Sequence, residues 1–348
     1  MEKNRFYLLD GLRGLAAFAV MIYHYTQHNG LHYFGGAWGA VDLFFILSGF
    51  VIAHSYTEKI SNGMSFQQFL SIRLIRLAPL YTFGLALGLT AIVITVSTTP
   101  EVSISSKEII KAGLLGLVWL PYFNNLSWPF GNESIVGPVF PLNDPAWSLF
   151  FELIVNIAFF VYVQRFKKIP QIKFVCTAIF IFLFCTFVFR QTNPGWGVTN
   201  FIFGFPRVIA EFFGGALIYA TGIHKKRFST PFVLFIGTVT FCGFLTRNSQ
   251  IALICSLILV PLTVIVLSTI TVNATAKPVC SFLGDISYPL YIIHFPIYRL
   301  VHELVDFRTI SSAWQTLLIL IICSILAIAL MRADSVIRNK LNIFFLRS

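Results

Sequence analysis

The feature that most constrains this chain is a succession of apolar runs about 20 residues long, separated by short polar segments. A helix needs about 20 mainly apolar residues to cross a hydrocarbon core about 30 Å thick. With 57% hydrophobic and only 11% charged residues, the chain is too apolar for a soluble domain of 348 residues. We therefore predict an all-α fold, a polytopic membrane helical bundle.

The hydropathy pattern predicts ten transmembrane helices and one shorter apolar segment. The shorter segment, 109–123, contains Lys111 and precedes a stretch rich in Pro and Asn. This favours a re-entrant or interfacial placement for it. The ten predicted spans are 7–26, 38–56, 77–97, 146–164, 174–191, 201–221, 231–246, 251–270, 281–300 and 313–332.

The distribution of basic residues supports this topology. If segment 109–123 does not cross, 17 of the 25 Lys and Arg residues lie on the same side as the N-terminus, and if it crosses, this bias collapses. Cytoplasmic loops carry an excess of Lys and Arg, so we place both termini in the cytoplasm and attribute the net charge of +11 to topology, with no nucleic-acid partner. The 17 residues are Lys3, Arg5, Lys59, Arg73, Arg76, Arg165, Lys167, Lys168, Lys173, Lys225, Lys226, Arg227, Lys277, Arg332, Arg338, Lys340 and Arg347.

Arg13 and His24 are two of the ionisable residues within the first predicted span. Eleven helical steps rotate about 1100°, roughly 20° beyond three turns, so both side chains leave the helix on nearly the same face. Their separation along the axis is about 16 Å, with His24 near the outer surface. Ionisable groups at membrane depth are energetically costly, which favours a functional role for this stripe.

Six ionisable residues are predicted at one depth in the outer half of the bundle, where they should line a common polar cavity. A neutral imidazole can take a proton from a hydroxyl, and a carboxylate from Asp42 or Glu152 can orient it. The alternative for His24 is a satisfied core histidine, and Arg207 and Glu211 are expected to form a structural ion pair. The six residues are His24, Asp42, Glu152, Arg207, Glu211 and His294.

Arg73 and Arg76 are predicted at the opposite, cytoplasmic surface, just before the third span. Residues three apart share a helix face, and a pair of guanidinium groups can grip phosphates bidentately. The alternative is ordinary basic flanking in contact with membrane lipid headgroups. Asp285 and His54 are structural or donor-site candidates. Neither the histidines nor the six cysteines have metal-ligand spacing, so no metal is expected.

Five blocks of the sequence resemble, in order, the motifs of the acyltransferase 3 family of bacterial membrane O-acyltransferases. The first runs from 9 to 17 and on to His24, and the third contains Arg73 and Arg76. The others are 39–50, 147–152 and 287–294.

The resemblance implies one membrane-embedded acyltransferase domain over 1–348, in the bacterial plasma (inner) membrane. Members of the family move an acyl group, usually acetyl from cytoplasmic acetyl-CoA as co-substrate, to hydroxyls of glycans or lipids. By this resemblance His24 is the catalytic histidine, and Glu152 is its supporting carboxylate. Arg13 supports the donor or the active-site geometry, while Arg73 and Arg76 hold the coenzyme A phosphates.

The acceptor and the mechanism stay open at the level of sequence. Some relatives carry an additional extracytoplasmic domain, whereas this chain ends about sixteen residues after its last predicted span. We therefore expect no appended soluble domain and a lipid-linked or nascent glycan as acceptor, or a separate extracytoplasmic partner protein. Succinyl and longer acyl groups are alternatives to acetyl. Direct transfer to the acceptor and transfer through an acyl-histidine intermediate are both open. A transporter or flippase is the competing class, followed by a purely structural role.

Overall fold

A computed structural model of the chain describes residues 5–28, 30–98, 104–123, 137–166, 170–305, 307 and 310–346. These residues are mainly helical and include no β-strand, and one isolated bridge pairs Pro138 with Gly197. The predicted all-α membrane bundle is thereby confirmed. Several residues used in the charge argument lie outside the described part, namely Lys3, Lys167, Lys168 and Arg347.

Every predicted span coincides with a helical segment. The helices are α1 Tyr7–His28, α2 Gly39–Ser61, α3 Phe66–Thr98, α4 Ser106–Leu117, α5 Ala146–Val161, α6 Gln171–Phe189, α7 Gly204–Ala220, α8 Thr230–Leu245, α9 Ser249–Ile254, α10 Val260–Ser268, α11 Ala276–Leu304 and α12 Ser312–Leu346. A π-helical turn, Cys255–Leu259, joins α9 to α10, and another, Tyr162–Phe166, extends α5.

Seven of the helical segments within the described residues are long and apolar enough to cross a membrane. They contain α2, α3, α5, α6, α7, α9 with α10, and α12, and α8 is a shorter apolar helix. Charged residues interrupt the apolar stretches of α1 and α11. The total of ten spans and the cytoplasmic location of both termini stay predictions.

Helix α4 corresponds to the segment predicted to be re-entrant or interfacial. Its 12 residues extend about 18 Å, which is less than the hydrocarbon core of about 30 Å. Ile109 and Ala112 are buried against the protein, whereas Ile110 and Leu114 are exposed. A single helix of this length cannot cross the membrane. Most of the polar stretch that follows, 124–136, lies outside the described residues.

Helix α3 begins eleven residues earlier than the span predicted at 77–97. It starts at Phe66 and has 33 residues, so Arg73 and Arg76 lie inside it and not before it. The hydropathy pattern detects only the apolar part of a helix, whereas the hydrogen-bonded helix continues through the polar segment. Both arginines lie on the polar segment of α3 that precedes its apolar part.

The chain forms two compact units that each combine segments remote in sequence. Unit 1 contains Met1–Phe66, Ile154–Asn193 and Pro206–Tyr288, and unit 2 contains Gln67–Leu153, Pro194–Phe205 and Pro289–Ser348. Helix α11 passes from unit 1 to unit 2 between Tyr288 and Pro289.

Within unit 1, glycines allow α2 and α7 to pack with their backbones in contact. A methyl group added at Gly49 would overlap the Phe212 carbonyl oxygen, and one added at Gly215 would overlap that of Ile46. Small residues at helix crossings are the usual means of close packing in membranes. This close approach positions the charged side chains that α2 and α7 carry.

Candidate active site

Helix α1 in unit 1 carries Arg13 and His24, the two ionisable residues predicted to share one helix face. The helix is continuous from Tyr7 to His28, so Arg13 and His24 leave it on nearly the same face, as the rotation argument requires. The His24 ring is half-buried and lies 5.1 Å from the Tyr23 ring, centroid to centroid. Its imidazole is therefore not enclosed in the core, unlike the neighbouring Tyr25, which is fully buried.

Arg13 connects α1 to the first half of α11. Its Nε donates a hydrogen bond to Ser287 Oγ at 2.9 Å, and its Nη2 donates to the Gly284 carbonyl at 2.8 Å. Nη2 also lies 3.3 Å from the Asp10 carboxylate. These contacts hold α1 against α11.

A second arginine, Arg5, extends this network toward the N-terminus. Its Nε lies 2.6 Å from Asp10 and its Nη2 lies 3.3 Å from Asp285. Asp285 of α11 therefore contacts Arg5, which lies just before α1. An added methyl group at Gly14 would lie 2.5 Å from the Leu283 carbonyl oxygen, so the two helices touch here.

A buried charge cluster lies between α2 and α7 in unit 1. The Arg207 Nε donates to Asp42 Oδ1 at 2.7 Å and lies 3.6 Å from Glu211, while Ser256 Oγ donates to Asp42 Oδ2. Arg207 Nη1 donates to Asn193 Oδ1 at 2.7 Å. The predicted ion pair of Arg207 with Glu211 is confirmed. Arg207 lies closer to Asp42 than to Glu211, and sequence spacing did not indicate this contact.

His54 lies in an aromatic cluster of unit 1. Its ring centroid is 5.2 Å from those of Phe6 and Tyr219, and His224 stacks on Tyr219 at 5.0 Å. Burial lowers the pKa of His224 below its usual value, and neighbouring Lys225 adds to this effect. His54 therefore packs against aromatic rings within unit 1.

A second ion pair lies within unit 2. Arg73 Nη2 lies 2.6 Å from Glu152 Oε1, and the side chains are 3% and 19% exposed. The two residues share one depth, so the expectation that they lie toward opposite membrane surfaces was wrong. Sequence spacing does not indicate this ion pair, because 79 positions separate its two members. Arg76, by contrast, is exposed.

Helix α11 contains two prolines, and a side chain compensates for one of them. Pro296 has no N–H, so the carbonyl of Ile292, four residues earlier, loses its helical donor. Asn143 Nδ2 donates to that carbonyl at 2.9 Å. Local sequence does not indicate this contact, because 149 positions separate the two residues.

His294, predicted to line the outer cavity, is buried in unit 2. Its Nδ1 lies 2.6 Å from the Tyr291 carbonyl of its own helix. Nearby, Tyr291 and Ser148 share a hydrogen bond of 2.8 Å between their hydroxyl groups.

Asp144 lies in the loop before α5. Its Oδ1 atom is buried and has no hydrogen-bond partner among the described residues. Burial raises the pKa of Asp144 to about 7, and the positive charge of Arg299 opposes this shift.

Within each unit, the structure brings some of the predicted site residues into contact. Unit 1 holds Arg13 with Ser287, and Asp42 with Arg207 and Glu211. Unit 2 holds Arg73 with Glu152. Among the residues that the structure describes, no group of three or more His, Cys, Asp or Glu side chains is arranged to hold a metal ion.

Charged clusters inside the helical units of a membrane protein are typical of transporters and of membrane-embedded enzymes. Comparison with known proteins shows that this chain is one of the enzymes. A family model described as "Acyltransferase domain" matches residues 6–332, nearly the whole chain. The chain belongs to the acyltransferase 3 family, as its motifs predict.

Two curated relatives are similar to this chain. The Acyltransferase MdmB of Streptomyces mycarofaciens is 26% identical over 329 residues, which cover 85% of this chain and 80% of the relative. Protein 2 in picA locus of Rhizobium radiobacter is 39% identical over 158 residues, or 45% of this chain and 81% of the relative. No solved structure matches the chain. The protein is therefore a membrane acyltransferase, which requires an acyl donor and an acceptor.

Proposed function

We propose that the protein is an O-acetyltransferase of the bacterial plasma (inner) membrane. It moves an acetyl group from cytoplasmic acetyl-CoA to a hydroxyl of a cell-surface or lipid-linked glycan, with a lipid-linked or nascent glycan as the preferred acceptor. Family membership supports acyl transfer. The observation that carries the proposal further is the half-buried imidazole of His24 on the same face of α1 as Arg13.

His24 is the proposed catalytic base. It takes the proton of the acceptor hydroxyl while the hydroxyl oxygen attacks the thioester carbonyl. The C–O bond of the new ester forms, the C–S bond breaks, and the proton is returned to the coenzyme A thiolate. Atoms and charge balance without a metal or a redox partner.

Arg13 and Asp42 are proposed to position α1 and α2, the two helices that pack together in unit 1. Arg13 fixes α1 against α11 through Ser287, and Asp42 fixes α2 against α7 through Arg207. These contacts support roles that act through helix position.

Glu152 is the proposed supporting carboxylate, oriented by its ion pair with Arg73. Arg76 is the proposed contact for the coenzyme A phosphates, since its guanidinium is exposed. The charged nucleotide of the donor is proposed to stay at the cytoplasmic surface, so it does not need to cross the membrane.

The test is a comparison of O-acetyl groups on surface glycans and lipids by mass spectrometry. The cells lack the gene or carry wild type, His24→Ala or His32→Ala. His32 is the matched control because it is an exposed histidine in the loop after α1. Wild type and His32→Ala should restore an acetyl group that His24→Ala does not. Full restoration by His24→Ala at equal expression would contradict the assignment of His24.

A further inference from the structure

A small cavity in unit 2 lies between α3, α4 and the segment that precedes α5. It has a volume of about 10 Å³, which is room for one water molecule. Its wall is mainly apolar, and the residues that α4 contributes include the small Ala112 and Gly116. Two polar side chains also line it, Tyr81 from α3 and Asn143 from the segment before α5. The cavity therefore has the size and the lining of a site for one small polar molecule.

Asn143 has an amide oxygen that needs a hydrogen-bond donor. Its side chain is 2% exposed, and its Oδ1 has no hydrogen-bond partner among the described residues. The orientation of the amide is defined, because Nδ2 donates to the Ile292 carbonyl, a group that can only accept. A buried amide oxygen without a donor is energetically costly, so a donor is expected from outside the chain.

Tyr81 supplies a second acceptor at the same cavity. Its hydroxyl donates to the Gly116 carbonyl at 2.6 Å, so its proton is already used and its oxygen can still accept. A methyl group added at Gly84, about one turn after Tyr81 on α3, would lie 2.7 Å from Asn143 Nδ2. Asn143 therefore packs against this part of α3. A molecule that joins the two acceptors must carry two donor hydrogens.

We propose that this cavity binds one water molecule, which donates one hydrogen bond to Asn143 Oδ1 and the other to the Tyr81 hydroxyl oxygen. Buried waters commonly make about three hydrogen bonds to polar groups that otherwise lack partners. Water has the two donor hydrogens that the two acceptors require, whereas the hydroxyl group of an acceptor substrate has only one. The water completes the hydrogen bonding of the amide that compensates for Pro296. This site does not depend on the proposed catalytic function.

The direct experiment is a crystal structure of the full chain grown in neutral lipid, with and without a glycan-containing lipid extract. We expect one spherical density peak in both structures, within hydrogen-bonding distance of Asn143 Oδ1 and Tyr81 Oη. The absence of this peak at a resolution that shows other buried waters overturns the site. A peak that appears only with the extract also overturns it, because it identifies a hydroxyl of the extract as the occupant.

Substitutions on α4 test the same site through stability. Serine and cysteine are similar in size, but serine is the stronger donor. Because Ala112 lines the cavity, a hydroxyl introduced there can replace the water as donor to Asn143, whereas a thiol displaces the water without an equivalent bond. We expect Ala112→Ser to unfold about 2–4 °C higher than Ala112→Cys. The matched control is the same pair of substitutions at Gly113, where an added methyl group has no neighbour within 4 Å.

A dry apolar cavity reverses this order, because the less polar thiol then fills it better than the hydroxyl does. If Ala112→Cys is at least as stable as Ala112→Ser, after subtraction of the difference at Gly113, the proposal is overturned. Size-exclusion profiles show whether each variant is folded. If the variants at Ala112 do not fold, the crystal structures of the wild type decide.

Discussion

At the scale of single residues, the most demanding feature is a fully buried arginine. Arg207 has no exposed side-chain surface and lies between two carboxylates, Asp42 and Glu211. Its guanidinium also lies 5.5 Å from the centre of the Trp38 ring. A buried charge is tolerated only when it is paired and hydrogen-bonded, so each member of this cluster depends on the others.

Arg207→Ala should destabilise the protein by about 3–5 kcal/mol, because it leaves Asp42 as an uncompensated buried charge. Glu211→Gln should cost less, since Glu211 is the more distant partner at 3.6 Å. The measurement is thermal unfolding in detergent, with Arg227→Ala as a control at an exposed arginine. Equal unfolding temperatures for Arg207→Ala and wild type would show that the cluster does not stabilise the fold.

Asp144 makes the stability of the folded protein depend on pH in a defined direction. Because burial raises its pKa from 3.8 to about 7, the folded protein keeps a proton that the unfolded chain has already lost over this range. The stability contribution of this residue therefore falls as the pH rises from about 4 to about 7 and levels off above. Asp144→Asn should flatten the pH dependence of the unfolding temperature over this interval. An unchanged slope would exclude Asp144 as its source.

At the scale of helices, α11 shows how a break in helical hydrogen bonding is compensated. Pro296 leaves the Ile292 carbonyl without its helical donor, and buried Asn143 replaces that donor. A side-chain amide that donates to a buried carbonyl contributes more to the stability of the fold than its hydrogen bond alone. Removing the amide leaves the buried carbonyl without a hydrogen-bond partner.

Asn143→Ala should cost about 1–3 kcal/mol, the penalty for an unsatisfied buried polar group. In a Pro296→Ala background the helix regains its own N–H donor, so the same substitution should cost clearly less. A double-mutant cycle of unfolding free energies measures this difference. Pro289→Ala is the control and should give no such rescue, and equal costs in both backgrounds would contradict the compensation.

Helix positions followed from local hydropathy, whereas helix ends and contacts did not. Each predicted span coincides with a helical segment because about 20 apolar residues suffice to define one. The start of α3 at Phe66 was missed because a helix can continue into polar sequence. Arg207 and Glu211 were predictable as an i, i+4 pair. The contact of Arg207 with Asp42 was not, because 165 residues separate the two.

At the scale of the whole molecule, membership of the acyltransferase 3 family shows that the chemistry is acyl transfer. The charged groups described above lie inside the individual units. Each unit is assembled from three separate stretches of chain. No local pattern in the sequence predicts this interleaving, because it depends on contacts between distant segments. The motif order along the chain nevertheless identified the family, since family motifs are local in sequence.

The most direct test of the central claim uses purified protein as the enzyme and a glycan-containing lipid extract as the acceptor. Acetyl-CoA consumption is measured as release of the coenzyme A thiol, together with formation of the O-acetyl ester. We predict that His24→Ala lowers the rate of both by about 10²–10⁴-fold, the usual contribution of general acid–base catalysis, while His32→Ala matches wild type. Equal rates in folded His24→Ala and wild type would contradict the account.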